Sequence, residues 1–248
     1  MLIGITTEVF YSRPTALAED ITELLGFGMS ALEIVPKSLA DLQEASALRP
    51  LVNDLAHLSV LMPDPTKMAA ENPPVEPEQV LRDCIQFATD LGASLFTMVP
   101  SFPEFTDPDD LIDALRPYQD AANGAGLTFA VLNSDAAASP AGNFESFCEL
   151  VTNLQCKVTL ELGHAYRAMP KQTAQLVGEH GEWIAAVHAS DATEAFSYLP
   201  LGTGHVNYHM LIPIFQHNGF AGPFLIDMQH AVTKERIEAS EFFLEAFE

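Results

Sequence analysis

The sequence predicts a single-domain (β/α)8 barrel (a TIM barrel) over residues 1–248, and three observations carry the prediction. Short apolar runs alternate with amphipathic stretches along the whole chain. Eight such pairs fit into 248 residues, at about 31 residues per pair, which suits one barrel. The connections are also asymmetric: short and glycine-bearing before the strands, longer and proline-rich after them.

Taken in order, the expected strands are Leu2–Thr7, Ala31–Val35, Leu58–Met62, Leu95–Val99, Thr128–Leu132, Val158–Leu162, Ile184–Ala189 and Phe224–Met228. Each is mostly apolar without alternation, as parallel strands buried on both faces are. The expected helices are Pro14–Leu25, Leu39–Asp54, Pro77–Leu91, Pro108–Asn123, Phe144–Asn153, Lys171–His180, Tyr208–His217 and Thr233–Phe247. Pro14, Pro77 and Pro108 suit a first helical turn, where proline's missing N–H costs nothing, and Thr233 suits a cap.

Gly26, Gly28, Gly92, Gly124, Gly126, Gly181 and Gly219 stand between helices and following strands, where a left-handed C-cap favours glycine. The longer segments 63–76, 100–107, 133–143 and 190–207 follow strands. In a barrel these loops share one face, the face that carries active sites. A doubly wound open sheet would place G-x-G-x-x-G after its first strand. Here strand one runs into Thr6-Thr7-Glu8-Val9.

The chain carries 34 acidic and 11 basic residues, a formal charge of −23. Such a surface repels phosphate backbones and anionic headgroups, so neither nucleic acid nor membrane is an expected partner. No basic region precedes an apolar signal core, which makes the cytoplasm the expected compartment. Cys84, Cys148 and Cys156 form no C-x-x-C pair and read as reduced, largely buried thiols.

Ionisable groups within apolar strands need a partner, because burying them alone is costly. Glu33 lies inside strand two, Glu161 and His164 close strand six, His188 and Asp191 close strand seven, and Asp227 and His230 close strand eight. Carboxylates and an imidazole on three neighbouring strands suit a first shell for Mn²⁺, Co²⁺, Zn²⁺ or Mg²⁺. A hydrogen-bonded polar cluster filling the barrel mouth accounts for the same residues. His57 reads as structural, and His180 and His217 as helix-end residues. Trp183, Phe196 and Tyr198 suit either packing or a sugar pocket. Gly202 and Gly204 suit either a turn or close approach to a ligand.

The segment Ile184–Asp227, with I-A-A-V-H-A-S-D, Y-L-P-L-G-T-G-H-V-N-Y and G-F-A-G-P-F-L-I-D, resembles the xylose-isomerase-like (AP-endonuclease-like) TIM-barrel superfamily. Glu161-Leu162-Gly163-His164-Ala165 resembles its acidic-x-x-His-Ala element. Leu32-Glu33-Ile34 resembles its second-strand signature and Leu91-Gly92-Ala93 the start of its fourth unit. The resemblance implies a divalent metal held by Glu161, His188 and Asp227, with catalysis by Glu161 and Asp227. It implies substrate contacts from His164, Glu33 and His230. Three departures qualify this. Leu132 stands where family isomerases and epimerases carry a strand-five glutamate. Glu161 and Asp227 exchange arm length with the acids expected on strands six and eight. Leu61 and Val99 occupy the neighbourhoods of the nuclease histidines.

The expected function is therefore a sugar or polyol isomerase/epimerase, metal-assisted if an ion binds, acting by proton transfer next to a carbonyl. A ligand-binding or catalytically decayed barrel is the alternative, and an abasic-site nuclease is disfavoured by charge and missing histidines. The expected partner is a small sugar or polyol, and homo-oligomerisation stays open.

Overall fold

A computed structural model describes residues 1–62, 65–70, 74–100, 107–136, 139–229 and 232–247. Eight parallel strands close into a barrel in sequence order: β1 Leu2–Thr6, β2 Ala31–Ile34, β3 His57–Met62, β4 Leu95–Met98, β5 Thr128–Leu132, β6 Lys157–Glu161, β7 Ile184–Ala189 and β8 Pro223–Ile226. β1 pairs with β8 through Leu2↔Pro223 to Ile5↔Ile226, which seals the ring. Around it run α1 Leu17–Leu25, α2 Ala45–Val52, α3 Pro65–Ala69, α4 Pro77–Leu91, α5 Pro108–Gly124, α6 Phe144–Leu154, α7 Leu162–Ala168, α8 Thr173–His180, α9 Tyr208–His217 and α10 Lys234–Glu245.

Alternation along the strands divides the core in two. Ala31, Leu95, Ala130, Ala186 and Leu225 form a small apolar layer. Two residues further along their strands, the same inward face carries Glu33, Thr97, Leu132, His188 and Asp227. Thr97 and Thr159 meet across the interior at 2.7 Å. The other strand face packs against the helices through the large core that includes Ile5, Leu32, Val60, Phe96, Phe129 and Leu160.

Pro77 and Pro108 open their helices, Thr233 caps α10, and Gly92 (φ 80°) ends α4 in the left-handed conformation, as expected. Other boundaries shift. Helix one begins at Leu17 rather than Pro14, and the Thr15 hydroxyl donates to the Asp20 carboxylate at 2.6 Å. The expected helix over 39–54 divides into a 3-10 turn at Asp41–Gln43 and α2. Strand six stops at Glu161, because its carboxylate accepts from the N–H groups of Gly163 and His164 and so starts α7. Neither α3 nor α7 was expected. Both are short helices inside strand-to-helix connections, too brief to show periodicity.

Candidate functional site at the barrel mouth

His188 lies opposite Glu161 in the β6–β7 register, and the Asp227 N–H donates to the carbonyl of Ala189 at 3.1 Å. These pairings bring Glu33, His188 and Asp227 together, each 0% exposed. His188 Nε2 lies 2.6 Å from Glu33 Oε2, and its Nδ1 lies 3.2 Å from Asp227 Oδ2. The Ser59 hydroxyl donates to the other Glu33 oxygen at 3.3 Å. Burial alone disfavours a charged imidazole. The charges of Glu33 and Asp227 outweigh it and hold His188 well above the ordinary pKa of 6.5. The two carboxylates thus favour the protonated form of the ring. The contacts are close without being aligned. Both ring nitrogens, Glu33 Oε2 and both Asp227 oxygens lack an aligned hydrogen bond.

Glu161 is held differently. Its oxygens accept from Gly163 N–H at 3.1 Å, from His164 N–H and from the Ser190 hydroxyl. Burial raises its pKa, His164 and the Ser190 hydroxyl oppose that, Asp227 adds to it, and the His164 N–H acts against it. Asn133, directly after β5, straps this corner. Its amide donates to the Glu161 carbonyl at 3.0 Å, and its side-chain oxygen accepts from the Glu161 N–H at 2.7 Å. The Asn133 carbonyl faces His164 Nδ1 at 3.0 Å. A carbonyl only accepts, so Nδ1 carries a proton.

Leu132 is buried and, two residues beyond Ala130, shares its inward face. Glu33, expected to contact substrate, meets Ser59 and His188 here. His230 lies outside the described residues.

Sequence reasoning passed over Glu8. It follows β1 in a 3-10 turn, Thr7–Phe10, started by Thr6, whose hydroxyl oxygen accepts from Glu8 N–H at 3.2 Å. The Thr7 hydroxyl oxygen accepts from Val35 N–H at 2.8 Å and pins the turn to the end of β2. Gln229 donates to Glu8 Oε1 at 2.9 Å. Burial first, then Asp227, push the Glu8 carboxyl from 4.5 up to about 8; His188 opposes this while Glu33 and Glu161 add to it. Its position just past a strand was the available signal.

The P-L-G-T-G loop has a structural role. Asp191 accepts from the N–H groups of Ala192, Gly204 and Val206 at 2.9, 2.8 and 2.9 Å. A Cβ at Gly204 would collide with that carboxylate and with the Ala192 backbone. Tyr198 stands at the mouth in a positive-φ conformation (59°), its ring edge-on to His164 at 5.0 Å. Trp183 stacks on His180, and Phe196 is 58% exposed.

The donor set does not fit a divalent ion. Both His188 nitrogens lie against carboxylates, at 2.6 Å from Glu33 and 3.2 Å from Asp227, so neither faces an open coordination position. The Glu161 oxygens already accept three hydrogen bonds, and Leu132 offers no donor. A zinc site expects about four ligands, with three from the protein. Among the described residues no three His, Cys, Asp or Glu side chains are grouped to hold an ion. Glu161, His188 and Asp227, expected to converge on one ion, here take part in the ion pairs of His188 and the capping of α7 by Glu161.

The model of a family described as xylose isomerase-like TIM barrel matches residues 27–245. The chain belongs to that family. Solved structures share the xylose isomerase-like fold across whole chains. One is a D-tagatose 3-epimerase-like protein, with TM-score 0.80, 19% identity, and coverage of 100% of this chain and 97% of that one. Another is 3-keto-D-glucoside 4-epimerase from E. coli, with TM-score 0.72, 12% identity, and coverage of 100% and 98%. A third is D-allulose 3-epimerase from Methylomonas sp. in complex with D-allulose, with TM-score 0.69, 15% identity, and coverage of 98% and 89%. No curated protein sequence matches the chain.

Proposed function

We propose that this xylose isomerase-like barrel is a sugar isomerase or epimerase that moves a proton next to a carbonyl, with Asp227 as the base. One observation carries the reading: both Asp227 oxygens are buried without an aligned donor, beside a charged His188. Glu33 and Asp227, on the two sides of the ring, both favour the charged imidazole. No aligned donor occupies the Asp227 oxygens, whereas the Glu161 oxygens already accept three hydrogen bonds. Glu161 therefore shapes the site as the cap of α7. His164, its Nδ1–H fixed by the Asn133 carbonyl, presents Nε2 to a substrate hydroxyl.

The sugar epimerases of the same fold make unphosphorylated ketoses the first probes. The protein is to be incubated with D-tagatose, D-allulose and D-fructose, and the sugars followed by NMR. Interconversion of at least one supports the reading. Leu132 favours a second reading, a barrel that binds sugar without converting it. Saturable binding of all three sugars with no conversion would select that alternative.

A further inference from the structure

The proposed reaction needs an acid as well as a base. Removing a proton beside a carbonyl sends an electron pair onto the carbonyl oxygen, and that charge must be neutralised or protonated. A metal ion is one way to do so, and the donor set here does not fit one. Glu33, Glu161 and Asp227 are completely buried, while the nearby Glu8 is half-buried. It follows β1, the neighbour of the strand that leads into Asp227: β1 and β8 pair through Ile5↔Ile226, so Glu8 lies three residues and Asp227 one residue beyond that pair.

We propose that Glu8 is the general acid of this site, protonating the substrate carbonyl oxygen as Asp227 removes the proton from the adjacent carbon. The inference rests on the proton-transfer reading above. In the forward step the C–H bond breaks toward Asp227, its electrons form the carbon–carbon double bond, and the carbonyl π pair takes the Glu8 proton. The product is a neutral enediol with Asp227 protonated and Glu8 ionised. Asp227 then delivers its proton to the former carbonyl carbon, the enediol double-bond pair forming that C–H bond, while Glu8 takes the proton of the neighbouring hydroxyl, whose O–H pair becomes the new carbonyl π bond; both groups are restored. The two carboxyls suit these opposite roles because their surroundings differ. Asp227 has the imidazolium beside it. Glu8 is desolvated by burial and has Asp227 as a like-charged neighbour, with His188 opposing it and Glu33 and Glu161 adding to it; the Tyr198 phenol lies in the same negative field. Gln229 holds the Glu8 side chain by its 2.9 Å hydrogen bond, and its own backbone N–H donates to the Tyr198 carbonyl at 3.0 Å.

The test compares wild type, Glu8→Gln and Glu8→Asp with whichever ketose the wild type converts, across the neutral-to-alkaline range. Wild-type kcat should fall as pH rises through about 8, where the acid loses its proton. Glu8→Gln should lose at least about a hundredfold in kcat, in line with general-acid contributions. It should also lose the alkaline limb, keep KM within a few fold, and be partly rescued by Glu8→Asp. A variant that keeps kcat within tenfold and keeps the limb overturns the inference and leaves the proton-transfer reading standing. A wild type inert toward every probe overturns both. Titration of ¹³C-labelled glutamate in the free protein checks the group without turnover. A Glu8 carboxyl already ionised at neutral pH overturns the inference whatever the kinetics show.

Discussion

His188 Nε2 lies 2.6 Å from Glu33 Oε2, with both side chains fully excluded from solvent. Breaking a buried pair strands the remaining charge, at a cost of about 3–5 kcal/mol. Glu33→Gln should therefore lower unfolding free energy by about 3 kcal/mol, read by urea denaturation. Adding His188→Gln should cost less than the two single changes summed, because the partners are coupled. A Glu33→Gln protein within about 0.5 kcal/mol of wild type, the range of ordinary surface substitutions, would show that the contact carries no charge.

Stability should also fall with alkalinity. His188 and Glu8 both have folded-state pKa values above their ordinary ones, His188 well above 6.5 and Glu8 at about 8 rather than 4.5. The folded state thus binds more protons over those intervals. The stability they contribute is complete below the ordinary values and lost as pH rises through the folded ones. The melting temperature should drop as pH rises from about 4.5 through about 8, less so for Glu8→Gln. A level or rising melting temperature would contradict the charge assignment.

Asn133→Ala should leave the Glu161 N–H and carbonyl buried without partners. Each unsatisfied group costs about 1–3 kcal/mol, so a loss of about 2 kcal/mol or more is expected in urea denaturation. The imidazole ¹⁵N shifts of His164 should change with it, since the adjoining carbonyl fixes the tautomer. Unchanged stability and unchanged shifts would remove Asn133 from the site.

The barrel was legible because its strands are buried on both faces and its connections alternate in length, and both properties are local. Glu161, His188 and Asp227 were recognisable as ionisable groups closing apolar runs. Their partners were not. Whether His188 meets a metal or Glu33 depends on register around a closed ring, which no local pattern records. The reading of Glu161 as a ligand missed that the carboxylate caps α7, a helix too short to announce itself. Glu8 was hidden because its turn depends on the hydroxyl of Thr7 reaching Val35 on another strand.

Position 132 tests the account of the missing metal. Wild-type protein should show no saturable Mn²⁺ binding at millimolar concentration by calorimetry, and treatment with chelator should leave ketose conversion unchanged. Leu132→Glu adds an inward carboxylate beside the cluster and should create measurable affinity. Tight binding by wild type that His188→Ala abolishes would contradict the ion-pair description.

The central claim is that Asp227 takes a proton from carbon. Its most direct measurement is deuterium incorporation at the position next to the carbonyl, followed by NMR in D₂O. Wild type should wash deuterium into at least one of D-tagatose, D-allulose and D-fructose, and Asp227→Asn should reduce the rate by at least about a hundredfold while still binding the sugar. Exchange by Asp227→Asn at the wild-type rate would contradict the account.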